Sequence, residues 1–283
     1  MLRLHAGPWV ADLAPEDGGG MTLLRYGDHA ILVPAPEGAR LGGPFGAFWM
    51  IPWANRLDGG RLGPHRLPIN RVAEGTAIHG LSRDRAWDVA EAAPDHAVLV
   101  HSVNAAPYRY EARLATTLTT DRLTLDLTVT NRGAEPLAFG VGWHPWFVRP
   151  AGTRLAFRAT HRCTHDARCL PVSAEPTPGL DGGEDVFLGL DTHFPGWDGT
   201  ATIAWPELTL TMTATGALAT NLQVYAPRDR AVLCVEPSSH LPDAPDRPEL
   251  SELGPMRVLA PGESLTGIIT LTVEGSHQGG RTA

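Results

Sequence analysis

Between Arg122 and Asn131 the chain alternates Leu123, Leu125, Leu127 and Val129 with Thr124, Asp126, Thr128 and Thr130. Period-2 alternation sends every apolar side chain to one face of a pleated strand and every polar one to the other. A strand with one wet face is therefore predicted over 122–131. The same period recurs in Glu207–Thr215, through Leu208, Leu210 and Met212, and in Ser264–Val273, through Leu265, Ile269, Leu271 and Val273. Threonine is the recurring outward partner and suits a half-buried pleated surface. Two other runs, His96–Val103 and Ala231–Val235, are apolar on both faces, as expected of central strands covered on both sides. Two layers of sheet follow. No long segment sustains a 3.6-residue period, and glycine and proline punctuate short apolar runs along the whole chain, so many strands and turns and little helix are expected. The predicted fold is all-β, a large antiparallel β-sandwich. Residues 1–273 read as one domain, and 274–283 as a polar C-terminal tail without core residues.

Composition narrows the partners more than the fold. The 283 residues carry 23 Lys and Arg against 31 Asp and Glu, a net charge of −8. No basic run is long enough to track phosphates, so neither nucleic acid nor an anionic membrane is an expected partner. The first residues lack an uninterrupted apolar stretch, and no later stretch has the apolar length of a membrane span, which fits a cytoplasmic location. The three cysteines, Cys163, Cys169 and Cys234, form no regular framework, and no structural disulfide is expected.

Five segments place chemistry where turns or strand ends meet apolar runs. Gly142-Trp143-His144-Pro145-Trp146-Phe147 sets a histidine between two tryptophans and ahead of a proline, which biases His144 toward extended backbone and fixes its presentation at a strand end. Indole faces beside a titratable imidazole suit a sugar site, because an aromatic plane stacks on the C–H face of a pyranose. A buried, hydrogen-bonded core histidine is the competing reading. Pro52-Trp53-Ala54-Asn55-Arg56 gathers an aromatic, an amide and a guanidinium able to grip vicinal hydroxyls, unless Arg56 merely caps a turn. Glycine after His79 would let a ligand or another backbone approach, although that pair alone favours a structural histidine. Asp191, at a break in an apolar stretch, reads by itself as a turn residue. Glu236 ends the apolar strand Leu233-Cys234-Val235, and Pro237 is expected to stop that strand. Partial desolvation there would raise the Glu236 pKa and strengthen it as a base. His161, Cys163, His165 and Cys169 invite a zinc assignment, but their spacing differs from tight zinc motifs, and no metal is expected. A phosphate-binding glycine loop and a Gly-x-Ser-x-Gly elbow are both missing from the sequence.

Taken in order, Asn55-Arg56, His79-Gly80, the 142–147 hexapeptide, Asp191 and Glu236 resemble the motifs of the aldose 1-epimerase, or galactose mutarotase, family, over nearly the whole chain. Arg168-Cys169-Leu170-Pro171 is similar to a Leu-Pro turn of that family and gives the Cys/His cluster a structural explanation. The resemblance implies a galactose mutarotase-like sandwich with an open sugar cleft, no cofactor, and interconversion of the α and β anomers of a free aldose. It implies Glu236 as the base on the anomeric hydroxyl and His144 as the acid on the ring oxygen. His79, Asp191 and Arg56 would hold the sugar, with Asn55 supporting Arg56. Trp143 and Trp146, which stand where many relatives have other residues, are expected to shape the face on which the sugar lies. His79-Gly80-Leu81-Ser82-Arg83 also resembles the hexose-6-phosphate branch, where Arg83 and Arg85 would meet a phosphate. A carbohydrate-binding protein without turnover, and a glycoside hydrolase or lyase with Asp191 and Glu236 as paired carboxylates, are the remaining alternatives. Whether the chain is a monomer or a homodimer stays open.

Overall fold

The computed structural model describes residues 1–275 and consists of strands, with two four-residue α-helices, Glu184–Phe187 and Pro248–Ser251, and one 3-10 turn, Ala244–Asp246, among those residues. The first of two large sheets has ten strands, eight of which run in the order Leu2–Ala6, Trp9–Ala14, Gly20–Tyr26, Ala47–Met50, Gly142–Pro145, Val232–Ser238, Asn221–Tyr225, Asp191–Pro195. The second has nine: Asp88–Ala92, His96–Ala105, Tyr108–Leu118, Arg122–Asn131, Ser264–Gly275, Leu208–Gly216, Thr200–Ala204, Arg154–Phe157 and Leu180–Gly182. All ladders within these two sheets are antiparallel.

The alternating segments behave as their pattern requires. Leu123, Leu125, Leu127 and Val129 are buried, in register with Leu271, Ile269, Gly267 and Leu265 of the last strand. One continuous core gathers these leucines from the second sheet with Trp49, Trp143, Leu222, Val224, Leu233 and Val235 from the first. Alternation then decides the rest: if the odd-numbered residues of Val232–Ser238 face that core, Val232, Cys234 and Glu236 face away from it.

Three expectations need adjusting. The strand His96–Ala105 lies second from an edge rather than at the centre, and Ser102 and Asn104 on it are exposed. Its one neighbour toward the edge is the short, wholly exposed strand Asp88–Ala92, which covers little. The strand expected to stop at Pro237 continues to Ser238, with all seven residues buried and Pro237 opposite Leu222, because a missing N–H costs one ladder bond and not the register. The final strand runs through Gly275, two residues into the stretch read as tail, while residues 276–283 lie outside the described ones. No helix is long and apolar enough to cross a membrane among the described residues.

Candidate active site

The face of the first sheet turned away from the core gathers polar and titratable side chains. Phe48 stands directly opposite His144 across one strand pair, and Gln223 directly opposite Glu236 across another. Asp191 opens the edge strand opposite Tyr225. Opposed residues in an antiparallel pair project to the same side, so these six side chains share one floor. They line a cavity of about 540 Å³ together with Asn55, Arg56, Asn70, Arg71, Glu74, His79, Arg83, Trp146 and Arg230. That volume lies within the roughly 300–1,000 Å³ of small-molecule sites.

Wall residues come from the excursion between Ile51 and Arg83. Asn55 sits at φ 56°, a left-handed conformation that Asn tolerates better than most residues. Its Oδ1 accepts both the Arg56 backbone N–H at 2.9 Å and Arg56 Nη1 at 3.1 Å. Arg56 Nε donates to Glu74 Oε2 at 2.8 Å. Burial works against the Arg56 charge, but the Glu74 bond and the nearby Asp191 outweigh it and raise the pKa. The backbone of 78–82 runs beside 51–55: the His79 N–H donates to the Asn55 carbonyl at 3.0 Å, and the Leu81 N–H to that of Ile51 at 2.6 Å. Gly80, at φ +73°, has its backbone so close to Ile51 that a Cβ would lie 2.0 Å from the Ile51 oxygen. Glycine after His79 therefore admits another backbone segment rather than a ligand.

His144 and Glu236 meet on the floor, with Nε2 3.3 Å from Oε1. Both are buried, at 7 % and 2 % exposure. Phe48 stacks on the His144 ring at 4.6 Å and Trp146 at 5.0 Å, while His79 meets it edge-on at 5.2 Å. Burial, reinforced by the Arg83 charge, pushes His144 down to about 3. Burial likewise holds His79 well below the imidazole value, with His144 adding to the effect. Glu236 moves the other way, well above the carboxylate range, through burial first and then Asp191, with Arg56 opposing. Such a pair titrates as a unit. Burial thus disfavours the charged form of both groups, which lie 3.3 Å apart.

Of the expected site residues, Asn55, Arg56, His79, His144, Trp146, Asp191 and Glu236 come together around this cavity. Trp143 does not. It is 1 % exposed in the inter-sheet core, 6.5 Å from Trp49 and 6.1 Å from Phe147 by ring centroids. His144 and Trp146 are two residues apart and share a face, so the residue immediately before His144 must point to the opposite side. The second aromatic against the imidazole is Phe48, from the neighbouring strand. Arg83 lines the cavity, 5.5 Å from the Phe48 ring centroid, whereas Arg85 is exposed and outside the lining. Cys163 packs in a small separate core with Leu241, Ala244 and Leu250.

Gln223 was absent from the sequence expectation. Its Nε2 donates to Asp191 Oδ1 at 2.6 Å, and its Oε1 lies 3.3 Å from His193 Nδ1. A usable signal existed in the alternation of Asn221, Gln223 and Tyr225 with Leu222 and Val224, which marks a strand with one polar and one apolar face. Phe48 and Tyr225 gave no signal beyond ordinary core aromatics.

A family model described as aldose 1-epimerase matches residues 14–272. The chain is 31% identical over 276 residues to the uncharacterized protein YphB of Escherichia coli (strain K12), covering 92% of this chain and 94% of that one. A crystal structure of an Escherichia coli K12 protein superposes with TM-score 0.86 at 28% identity, over 97% of this chain and 98% of the other. A galactose mutarotase-like protein from Clostridium acetobutylicum shares the fold, with TM-score 0.82 at 20% identity over 96% and 94% of the two chains.

Proposed function

The chain belongs to the aldose 1-epimerase family, and from that premise we propose that it is a cofactor-independent isomerase interconverting the α and β anomers of a free aldose. The observation that carries this reading is the buried contact of His144 Nε2 with Glu236 Oε1 at 3.3 Å, on the floor of a cavity lined with hydroxyl-binding groups. Mutarotation moves two protons and breaks a hemiacetal bond, so one acid and one base sharing a site suffice. With the shared proton on His144, Glu236 takes the proton of the anomeric hydroxyl while His144 gives one to the ring oxygen. The ring opens to the aldehyde and leaves Glu236 protonated and His144 neutral, the form that burial favours. Rotation about C1–C2 and reclosure with the roles reversed return the pair to its starting state. Their short separation supports movement of the shared proton between them as sugar binds and leaves.

Arg56, His79 and Asp191 hold the ring oxygen region and hydroxyls in this reading. Asn55 supports Arg56, Gln223 orients Asp191, and Trp146 offers an aromatic face. The balance of charge supports an unphosphorylated sugar. Four arginines line the cavity, but each already has a carboxylate: Arg56 and Arg71 approach Glu74 at 2.8 and 3.7 Å, Arg83 approaches Asp84 at 3.2 Å, and Arg230 approaches Asp229 at 3.3 Å. A phosphate site would need guanidinium groups free to form bidentate pairs. NMR exchange spectroscopy on a panel of free and 6-phosphorylated aldoses tests both points. Faster α/β exchange is expected with free aldoses. Acceleration confined to phosphorylated ones would transfer the activity to the hexose-6-phosphate reading, and tight sugar binding with no acceleration would make the chain a binding protein.

A further inference from the structure

Cys234 is fully buried and has no task in the acid–base reading. It precedes Glu236 by two residues on the strand Val232–Ser238, so its thiol lies on the same face as that carboxylate. Its sulfur, a ring nitrogen of His144 and a carboxylate oxygen of Glu236 all lie within 4.8 Å of one another. Among the described residues this is the group of three histidine, cysteine or carboxylate donors that converges so closely. The second nitrogen of the same ring, Nδ1, is buried without a hydrogen-bond partner.

We propose that His144, Cys234 and Glu236 form an inhibitory site for a thiophilic divalent cation, with zinc as its representative. The donor set is one nitrogen, one sulfur and one oxygen, each a donor type that zinc takes, and three protein ligands leave the fourth tetrahedral position open. Zinc–ligand bonds of about 2.0–2.3 Å in a tetrahedron separate donor atoms by roughly 3.3–3.8 Å. The His144–Glu236 pair already meets that spacing at 3.3 Å, and the sulfur, within 4.8 Å of both donors, needs to close by at most ~1.5 Å. The open position faces the cavity, because His144 and Glu236 both line it. Coordination uses the lone pair of His144 and the carboxylate of Glu236, so the proton held by that pair and the Cys234 thiol proton both leave to solvent, with no change of oxidation state. Both groups needed for proton transfer are then occupied. Arg56 and Arg83 line the same cavity and repel a dication, which the thiolate and carboxylate charges offset. Soft sulfur and imidazole favour zinc over magnesium or calcium.

Metal-free protein titrated with cobalt(II) and then with zinc tests the site. A thiolate-to-cobalt charge-transfer band in the near ultraviolet is expected, saturating at one equivalent and displaced by zinc. Zinc, and not magnesium, should slow anomer exchange. In Cys234→Ser the band should vanish and the half-inhibiting zinc concentration rise by at least ~10-fold, since even residues that only support a metal ligand change affinity by 10- to 100-fold. Cys163→Ser, in its separate core, should keep both effects. If serine unsettles the buried strand, Cys234→Ala makes the same comparison. Wild-type protein without a band, or equal zinc sensitivity with and without Cys234, overturns the site. Inhibition rests on the acid–base reading, but the band does not: a band without any mutarotation would sink that reading and leave the metal site standing.

Discussion

At the scale of single residues, His144 and Glu236 meet on one cavity floor, with Nε2 3.3 Å from Oε1. A histidine before proline at a strand end, and a glutamate closing an apolar strand, each break the local pattern, and the structure gives both a shared cavity. The aromatic setting could not be read, because sequence adjacency to His144 does not separate Trp143, which faces the core, from Trp146, which faces the site. Truncating Trp143 to Ala should therefore lower stability by about 3–5 kcal/mol and leave KM of the folded fraction near wild type, while Trp146→Ala raises KM. Thermal melts paired with initial rates check this, and a KM increase confined to Trp143→Ala would reverse the assignment. The depressed His144 and elevated Glu236 also shape the pH profile. Protonating both members at low pH leaves no base, and deprotonating both at high pH leaves no acid. The acid limb of kcat/KM should accordingly fall well below the ordinary imidazole value of about 6.5, and the alkaline limb above the carboxylate range. An acid limb at the ordinary imidazole value would show that His144 is not desolvated in the working enzyme.

Among the elements, alternation over 122–131 fixed a strand with the same ends as the observed one, Arg122–Asn131, because each leucine has a buried partner across the ladder. Loops were less readable, since their conformation depends on partners distant in sequence. The segment carrying Asn55 and Arg56 is held by Gly80 and by His240, whose Nε2 accepts the Ala54 N–H at 3.0 Å while Nδ1–H donates to the Leu241 carbonyl at 2.8 Å. No local pattern announces a bond across 186 residues. Gly80→Ala should push Ile51 away, because both the positive φ and the 2.0 Å approach exclude a Cβ. The expected result is a loss of kcat/KM by at least ~10-fold, since misplacing positioning groups by about 1 Å can cost 10²-fold, together with a lower melting temperature. His240→Leu strands a buried N–H, at a cost of about 1–3 kcal/mol, and should weaken sugar binding through Arg56. Wild-type kinetics in both variants would show that this segment does not position the site.

For the molecule as a whole, the two-layer strand pattern was enough to set fold class, and the −8 net charge argued against nucleic-acid and anionic-membrane partners. A cavity on the outer face of one sheet was beyond reach, because alternation says that a face is polar and not that loops fold back over it. One core joins both sheets, and we expect residues 1–273 to unfold as one cooperative unit, visible as one calorimetric transition. His79, His101, His144, His165, His193 and His240 all have lowered pKa values, chiefly through burial. Below about pH 6.5 the unfolded chain takes up protons that the folded one refuses, so stability falls as pH falls, by on the order of 1 kcal/mol per group per unit. Glu236 and Asp243, both raised by burial, act in the opposite sense over the same range. Six groups against two make the net slope positive, and the melting temperature should drop by several degrees between about pH 7 and pH 5. The most direct measurement is α/β exchange of a free aldose by NMR magnetisation transfer, comparing wild-type protein with Glu236→Gln at equal folded concentration. The account predicts strong acceleration by the wild type and a loss of about 10²-fold or more in the variant; equal exchange rates in the two would contradict it.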